Sequence, residues 1–523
     1  MNIAAEVTAL RLKFPGEENF VFKDLDFSVG RGEKVLLLGP SGCGKSTLLQ
    51  VLCGIIPNLV EIPMRSTSQR LPDSWGILFQ DPDTQFCMPY VDEELAFALE
   101  NRGIPREEMM DRMEDVLTKV GLALPDLHMP IDALSQGMKQ RLALASVLLG
   151  EPEVLLLDEP SALLDPEGRE QIWQAILRNA EGRTLIIVEH RLEELLALGL
   201  VDRVVLFGPD GIPIGEGAPA YVFAKFQAEL ERFGIWYPGV WEDFFSSEEG
   251  QRLLNASPLE GRRDVPKLVE LSRYQGLRQG QPVISVEQAD IHPGDFVAIT
   301  GPNGAGKSSL LLSLIGLLPS EGVYLLQGEQ SGHRKGSKRM GKRRKDNRMA
   351  RSIGFVFQNP EFQFVADRIP DEIAFSLKQD GIAEQDIAER VSHSMRQFSL
   401  VGLEERHPYQ LSLGQKRRLS VAGAAVRRQP ILLLDEPTFG QDAVNTFAIL
   451  ALCEELRRQG TAIVMVTHEE RIAHYLATQH WEIRGGRLVS REHTPRGRHL
   501  FGRGEVEGAR KERSLRPYAQ IFS

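Results

Sequence analysis

Short, unbroken apolar runs bounded by charge or glycine punctuate this chain. KVLLLG (34–39), VLLLDE (154–159) and LIIVEH (185–190) each hold four consecutive apolar residues. That pattern predicts strands buried on both faces rather than strands with one wet side. Other stretches carry helical spacing. The residues from Lys45 onward predict a helix, and so do VDEELAFALEN (91–101) and IPDEIAFSLKQ (369–379), each opened by acids that favour a helix N-terminus. Buried strands interleaved with helices predict an α/β fold.

The pattern occurs twice. GPSGCGKST (39–47) returns as GPNGAGKSS (301–309), and LFQDPDTQF (78–86) as VFQNPEFQF (356–364). LSQGMKQR (134–141) returns as LSLGQKRR (411–418), VLLLDEPSALLD (154–165) as ILLLDEPTFGQD (431–442), and LIIVEH as IVMVTH (463–468). The offset is 262 residues between Lys45 and Lys307, then 277 or 278 for every later pair. Five motifs in one order at nearly one offset mean a duplicated domain, and the period is long enough for each copy to own a core. The step in the offset predicts an insertion in the second copy, GHRKGSKRMGKRRKDNR (332–348). This cationic run reads as a solvated loop. Contact with anionic lipid headgroups is the sharper reading of it.

The expected organisation is a first domain at 1–240, a linker at 241–265, a second domain at 266–490 and a basic, disordered tail at 491–523. The aromatic stretch AYVFAKFQAELERFGIWYPGVWEDFF (220–245) is expected to pack as helix on the first copy. With 523 residues, 42% hydrophobic, there is ample core material for two domains. A net charge of −11 argues against general nucleic-acid binding. Cys43, Cys53, Cys87 and Cys453 show no CxxC spacing and fit a reduced cytosolic protein. No signal peptide is expected from MNIAAEVTALRLKF. The apolar run LLLSLIGLL (310–318) is far short of the ~18–20 residues that span a bilayer, so a membrane role would be borrowed from partners.

The motifs carry phosphate chemistry. G-x-x-x-x-G-K-[ST] lies between a strand and a helix, at Gly39, Gly44, Lys45 and Ser46, and again at Gly301, Gly306, Lys307 and Ser308. Glycines let backbone N–H groups crowd around phosphates, and the helix N-terminus adds positive charge. The lysine reaches the outer phosphates, and the serine hydroxyl can ligate Mg²⁺. Asp158 and Asp435 close apolar strands and would hold Mg²⁺, while Glu159 and Glu436, one residue on, suit positioning of an attacking water. Cys43 lies inside the loop near a helix N-terminus, where a thiolate is favoured, but it reads as a small filler.

Together, the phosphate loop, the LSxG signature, LLLDEP and a histidine 32 or 33 residues past the strand aspartate resemble an ATP-binding cassette (ABC) ATPase, twice over nearly the whole chain. The resemblance implies two tandem P-loop NTPase domains, each a RecA-like core with an antiparallel β subdomain and a helical subdomain. It implies ATP and Mg²⁺ as cofactors and an intramolecular pseudo-dimer in which each ATP meets both copies. One site would comprise Gly39, Pro40, Ser41, Gly42, Cys43, Gly44, Lys45, Ser46, Thr47, Gln80, Asp158, Glu159 and His190, with Ser412 and Gly414 from the second copy. The other would comprise Gly301, Pro302, Asn303, Gly304, Ala305, Gly306, Lys307, Ser308, Ser309, Gln358, Asp435, Glu436 and His468, with Ser135 and Gly137 from the first. Glu159, His190, Glu436 and His468 take the catalytic roles. Ser46, Gln80, Asp158, Ser308, Gln358 and Asp435 take the metal. Phe14 and Tyr274 fall where the family stacks an aromatic ring on adenine. Both signatures depart from LSGGQ, and Met138 puts an apolar residue where Gln415 is polar, so the site containing Lys307 is expected to bind or turn over differently.

The segment Q-[DN]-P-[DE]-x-Q-F after Gln80 and Gln358 resembles the ATPases of energy-coupling factor (ECF) importers. That implies a polytopic membrane T-component and a substrate-binding membrane subunit as partners, at the cytoplasmic face of the membrane. Fused double ATPases of this type resemble those linked to vitamin uptake, including thiamine or its pyrimidine precursor. The competing readings are a tandem sugar-importer ATPase and a soluble cassette pair acting on ribosomes. The short aromatic join and the intact second site speak against them.

Overall fold

The computed structural model describes residues 2–17, 19–255, 266–331 and 349–493. The cationic insertion 332–348, residues 256–265 of the expected linker and the tail from 494 lie outside the described residues, as do the expectations placed on them. The chain divides into two compact units, one running to Pro238 and taking in Asp442–Val444, the other beginning at Gly239.

In the first unit the apolar runs form a sheet in the spatial order Pro213–Gly217, Arg203–Phe207, Lys34–Leu38, Thr184–Val188, Val154–Asp158 and Trp75–Leu78. All neighbours are parallel except the first pair. The strands are buried almost end to end because helices cover both faces of a parallel sheet. An antiparallel sheet centres on Ile3–Leu12 paired with Phe22–Gly30. Its Val7, Leu10 and Phe22 share one core with Leu48, Leu156 and Ile186. The helices Val91–Glu100, Arg106–Lys119 and Gln136–Leu149 form the third part.

The second unit repeats the parallel order with Gln479–Arg484, Phe296–Thr300, Ala462–Val466, Ile431–Asp435 and Ile353–Val356. Its antiparallel part, Val269–Arg278 with Gln281–Ile291, joins that sheet through one pairing of Ser285 with Arg487. The helices Ile369–Gln379, Glu384–Gln397 and Leu413–Ala425 complete it. The α/β fold expected from the apolar runs is therefore present in each unit.

The aromatic stretch does not stay with the first copy as expected. Pro219–Lys225 and Gln227–Arg232 do, with Val222 and Leu230 buried and the Phe226 ring pressed on Gly215. Gly234, Pro238 and Gly239 then interrupt helix, with both glycines at positive φ. Beyond them Val240–Ser246 is a helix of the second unit. Phe244 stacks on Phe447 at 3.8 Å, Trp241 meets the same ring edge-on at 5.1 Å, and Phe245 stacks on Tyr475 at 4.1 Å. Three large rings bury more apolar area on that aromatic face than they could as a solvated linker, which is why the segment folds back.

Candidate functional site

In a parallel sheet the residues just past the carboxyl ends of the strands share one edge, the usual place for a ligand. Here the edge holds Gly39 after Lys34–Leu38, Glu159 after Val154–Asp158, His190 after Thr184–Val188 and Gln80 after Trp75–Leu78. Gly301, Glu436, His468 and Gln358 hold the same places in the second unit. Four motifs far apart in sequence thus meet in each copy.

Gly44 and Gly306 cap the loop helices at φ 101° and 102°. A side chain at Gly44 would come within 2.7 Å of Phe22, and one at Gly306 would come equally close to the Val283 carbonyl. Only glycine tolerates both that space and that backbone. Lys45 Nζ is drawn into the loop, donating to the Gly39 and Pro40 carbonyls at 2.8 and 3.0 Å. Lys307 does the same with Gly301 and Pro302 at 2.7 and 2.9 Å. Both lysines are nearly shut from solvent, a costly place for a cation unless an anion is expected there.

Ser46 Oγ donates to Asp158 at 2.9 Å and Ser308 Oγ to Asp435 at 3.1 Å. Glu159 accepts from Gln80 Nε2 at 3.0 Å and lies 3.1 Å from His190 Nε2. Glu436 stands 3.4 Å from Gln358 Nε2 and 2.9 Å from His468 Nε2. Both glutamates sit at left-handed φ, 48° and 49°. For a non-glycine residue this strain costs about 1–3 kcal/mol and collects at functional sites. Each is held there by its own backbone N–H, bonded to Val188 or Val466 of the next strand.

The paired acids are shifted in opposite directions. Burial, reinforced by the neighbouring Glu159, pushes Asp158 up to about 6 against the Ser46 hydrogen bond and the Lys45 charge. Asp435 is pushed up to about 6 in the same way. Burial also acts on Glu159, but His190 and Lys45 outweigh it and hold that carboxyl below its usual range. Glu436 is held low by His468, Lys307 and Arg417 against burial. A hydroxyl beside a carboxylate is a hard-oxygen donor set that suits Mg²⁺, and a carboxyl this buried and this uncompensated is what a cation would stabilise.

The signature serines do not join these groups in their own copy. Their hydroxyls cap helices, Ser135 for Gln136–Leu149 and Ser412 for Leu413–Ala425. In the second copy Gln415 closes the capping box by accepting from the Ser412 N–H at 3.0 Å. Met138 stands at that place in the first copy and has no oxygen to do so.

One expectation is corrected and one is met. Tyr274 is 1% exposed inside Val269–Arg278, edge-on to Tyr324, and presents no face to a nucleotide. Its hairpin closes through Gln279 and Gly280, both at positive φ as a two-residue type I′ turn requires, so no loop remains to carry an aromatic outward. In the first copy the connection from Ile3–Leu12 to Phe22–Gly30 is nine residues long, and Phe14 on it is 36% exposed. Cys43 is the filler expected: burial pushes its thiol up despite nearby Lys45, and the side chain packs in the core.

Sequence reasoning missed the ties beneath the Q-[DN]-P-[DE]-x-Q-F turns. Lys139 pairs with Asp83 at 2.6 Å, and Lys416 with Glu361 at 2.5 Å. Glu94 accepts the N–H groups of Cys87 and Met88 at 2.8 and 2.9 Å. Glu372 accepts those of Val365 and Ala366, both at 2.8 Å. Each tie recurs at an offset of 277 or 278 residues, so the repeat itself held the signal.

Residues 22–162 and 287–439 match the family described as ABC transporter. A Bacillus subtilis protein provisionally named as the HMP/thiamine import ATP-binding protein YkoD is 35% identical over 493 residues, covering 88% of this chain and 86% of its own. A Streptococcus pneumoniae protein, provisionally an ABC transporter ATP-binding protein, is 34% identical over 496 residues, covering 87% of this chain and 85% of its own. Among solved structures, an archaeal ribosome recycling factor, aABCE1, in complex with a ribosomal stalk protein, superposes with a TM-score of 0.59. It covers 93% of this chain and 90% of its own at 20% identity, a likeness of fold alone.

Proposed function

The chain belongs to the ABC transporter family and is an ATPase of a transporter, and from that premise we propose that it energises an ECF-type importer. The observation that carries this reading is the pair of turns after the loop glutamines. Each is a short 3₁₀ turn, Pro82–Thr84 or Pro360–Gln363, capped by Asp81 or Asn359. Each is pinned from behind by a buried glutamate and a signature-helix lysine. The second presents Phe362 and Val365 at 77% and 63% exposure. A rigid base under an exposed apolar tip suits a docking point for a membrane subunit, and the turn starts two residues after a glutamine that touches the catalytic pair. Among the described residues no helix is long and apolar enough to cross a membrane, so the T-component and a solute-binding membrane subunit would supply the spans.

ATP binds at each phosphate loop in this reading, with Lys45 or Lys307 on the outer phosphates. Mg²⁺ would be held by Ser46, Asp158 and Gln80, or Ser308, Asp435 and Gln358, and would neutralise phosphate charge. Glu159 and Glu436, ionised and fixed by glutamine and histidine, orient the attacking water and take its proton. Ser135 and Gly137, or Ser412 and Gly414, serve the ATP of the other copy, and Phe14 stacks on adenine in the first. Hydrolysis beside Gln80 or Gln358 then shifts the pinned turn that follows that glutamine. The cargo reading is thiamine or its pyrimidine precursor, supported by the name of the B. subtilis relative.

Affinity purification from native membranes tests the importer. Recovery of a polytopic membrane protein, lost in Phe362→Asp, supports it. Recovery of ribosomal subunits instead sinks it. Uptake of labelled thiamine by cells with and without the chain tests the cargo.

A further inference from the structure

Gln140 and Arg417 occupy the same place in the two signature helices, one residue before the closing arginine of LSQGMKQR and LSLGQKRR. Both are closed off, at 1% and 2% exposure. Both donate to the carbonyl that precedes the loop glutamine, Gln140 Nε2 to Phe79 at 3.2 Å and Arg417 Nη1 to Phe357 at 2.8 Å. One tie is thus made by a neutral amide and the other by a guanidinium. The amide suffices for the tie, so the charge is extra.

A buried cation is costly unless negative charge faces it. Among the described residues Arg417 Nε has no hydrogen-bond partner. The acids that act on its charge are Glu436 and Asp435. The carbonyl it binds is followed by Gln358, whose amide is 3.4 Å from Glu436. Burial lowers the Arg417 pKa to about 10, with Glu436 and Asp435 opposing the fall, so the charge persists at neutral pH. Its field reaches Asp435 and Glu436 in return. Gln140 brings no such charge to Asp158 and Glu159.

We propose that Arg417 is a resident cation of the second copy's phosphate site, supplying part of the positive charge that the first copy takes from a divalent ion. The second copy therefore binds ATP with weaker dependence on Mg²⁺. A fixed positive charge beside the carboxylates lowers their attraction for a divalent ion and adds to the attraction for phosphate. The inference rests on the ATP and Mg²⁺ reading above, not on the identity of the membrane partner.

The test separates the sites by removing one loop lysine at a time. Lys45→Ala leaves the second site and Lys307→Ala the first. Binding of a fluorescent methylanthraniloyl-ATP is titrated in Mg²⁺ and in EDTA. EDTA should weaken the first site by about tenfold or more, equivalent to at least about 1.4 kcal/mol, and the second by much less. Arg417→Gln should make the second site as EDTA-sensitive as the first, and Arg417→Lys should not. Should Arg417→Gln fail to fold, Gln140→Arg gives the reverse test, reducing the sensitivity of the first site. Equal sensitivity of the two sites, unmoved by these changes, overturns the role of Arg417. Insensitivity of both sites would overturn the divalent-ion reading and the inference with it.

Discussion

The two copies share a geometry and differ in chemistry at three points around it. Both place Ser–Asp, Gln–Glu and Glu–His contacts within hydrogen-bonding reach at one sheet edge, and both hold the glutamate at left-handed φ. The first copy has Gln140, Met138 and a loop that carries Phe14. The second has Arg417, Gln415 and a closed two-residue hairpin. The shared part needs fixed angles and distances, which tolerate little change in backbone. The differing part lies in groups on neighbouring elements, where one side chain can change charge without moving the frame.

The sharpest break of this comparison comes from Glu159→Gln and Glu436→Gln, made singly. Each should lower hydrolysis at its own site at least tenfold, since a positioned base contributes roughly 10²–10⁴, so steady-state turnover should fall by about half or more. If one leaves turnover untouched, the two copies are not both working sites despite their geometry.

Glu94→Ala and Glu372→Ala should act on stability. Each strips two backbone N–H groups of their acceptor. The expected cost is about 1–3 kcal/mol, or a drop in Tm of roughly 2–8 °C by calorimetry. Unequal drops would show that the turns are not held alike.

The raised aspartates predict a pH dependence. A carboxyl whose folded pKa lies above its unfolded value of ~3.9 contributes stability that is complete below the unfolded value and lost as pH rises through the folded one. For Asp158 and Asp435 that loss runs from about pH 4 through about 6. Asp158→Asn or Asp435→Asn should therefore become relatively more stabilising between pH 5 and 7 in EDTA, by about 1 kcal/mol. A mutant-minus-wild-type Tm difference flat across that window would refute it.

The smallest effect concerns the caps. Met138→Gln completes a capping box in the first copy and should stabilise by about 0.5–1 kcal/mol, while Gln415→Met should cost as much. Denaturant midpoints for the two, moving in opposite directions, would confirm that this is what LSQGM and LSLGQ differ in.

Motif spacing revealed the duplication, the strand ends and the residues gathered at each site, because a buried parallel strand needs an unbroken apolar run and a phosphate loop needs glycine where φ is positive. The repeat marked Glu94 and Glu372, Asp83 and Glu361, Lys139 and Lys416 only as recurring positions, not as contacts. Charged residues on a helix look alike in sequence whether they face water or a loop. The aromatic stretch misled for a related reason: hydrophobicity demands burial but does not say against which core.

Residue order was enough to give two α/β units, each bringing a loop lysine, two acids, a glutamine and a histidine to one sheet edge, since local backbone needs and apolar periodicity are written residue by residue. Tertiary structure alone decided that Tyr274 is core and Phe14 is not, that Trp241 belongs to the second unit, and that Arg417 stands where Gln140 does but brings a charge. Those outcomes depend on which distant surfaces meet, and the field of a buried group is set by neighbours the chain brings together only on folding.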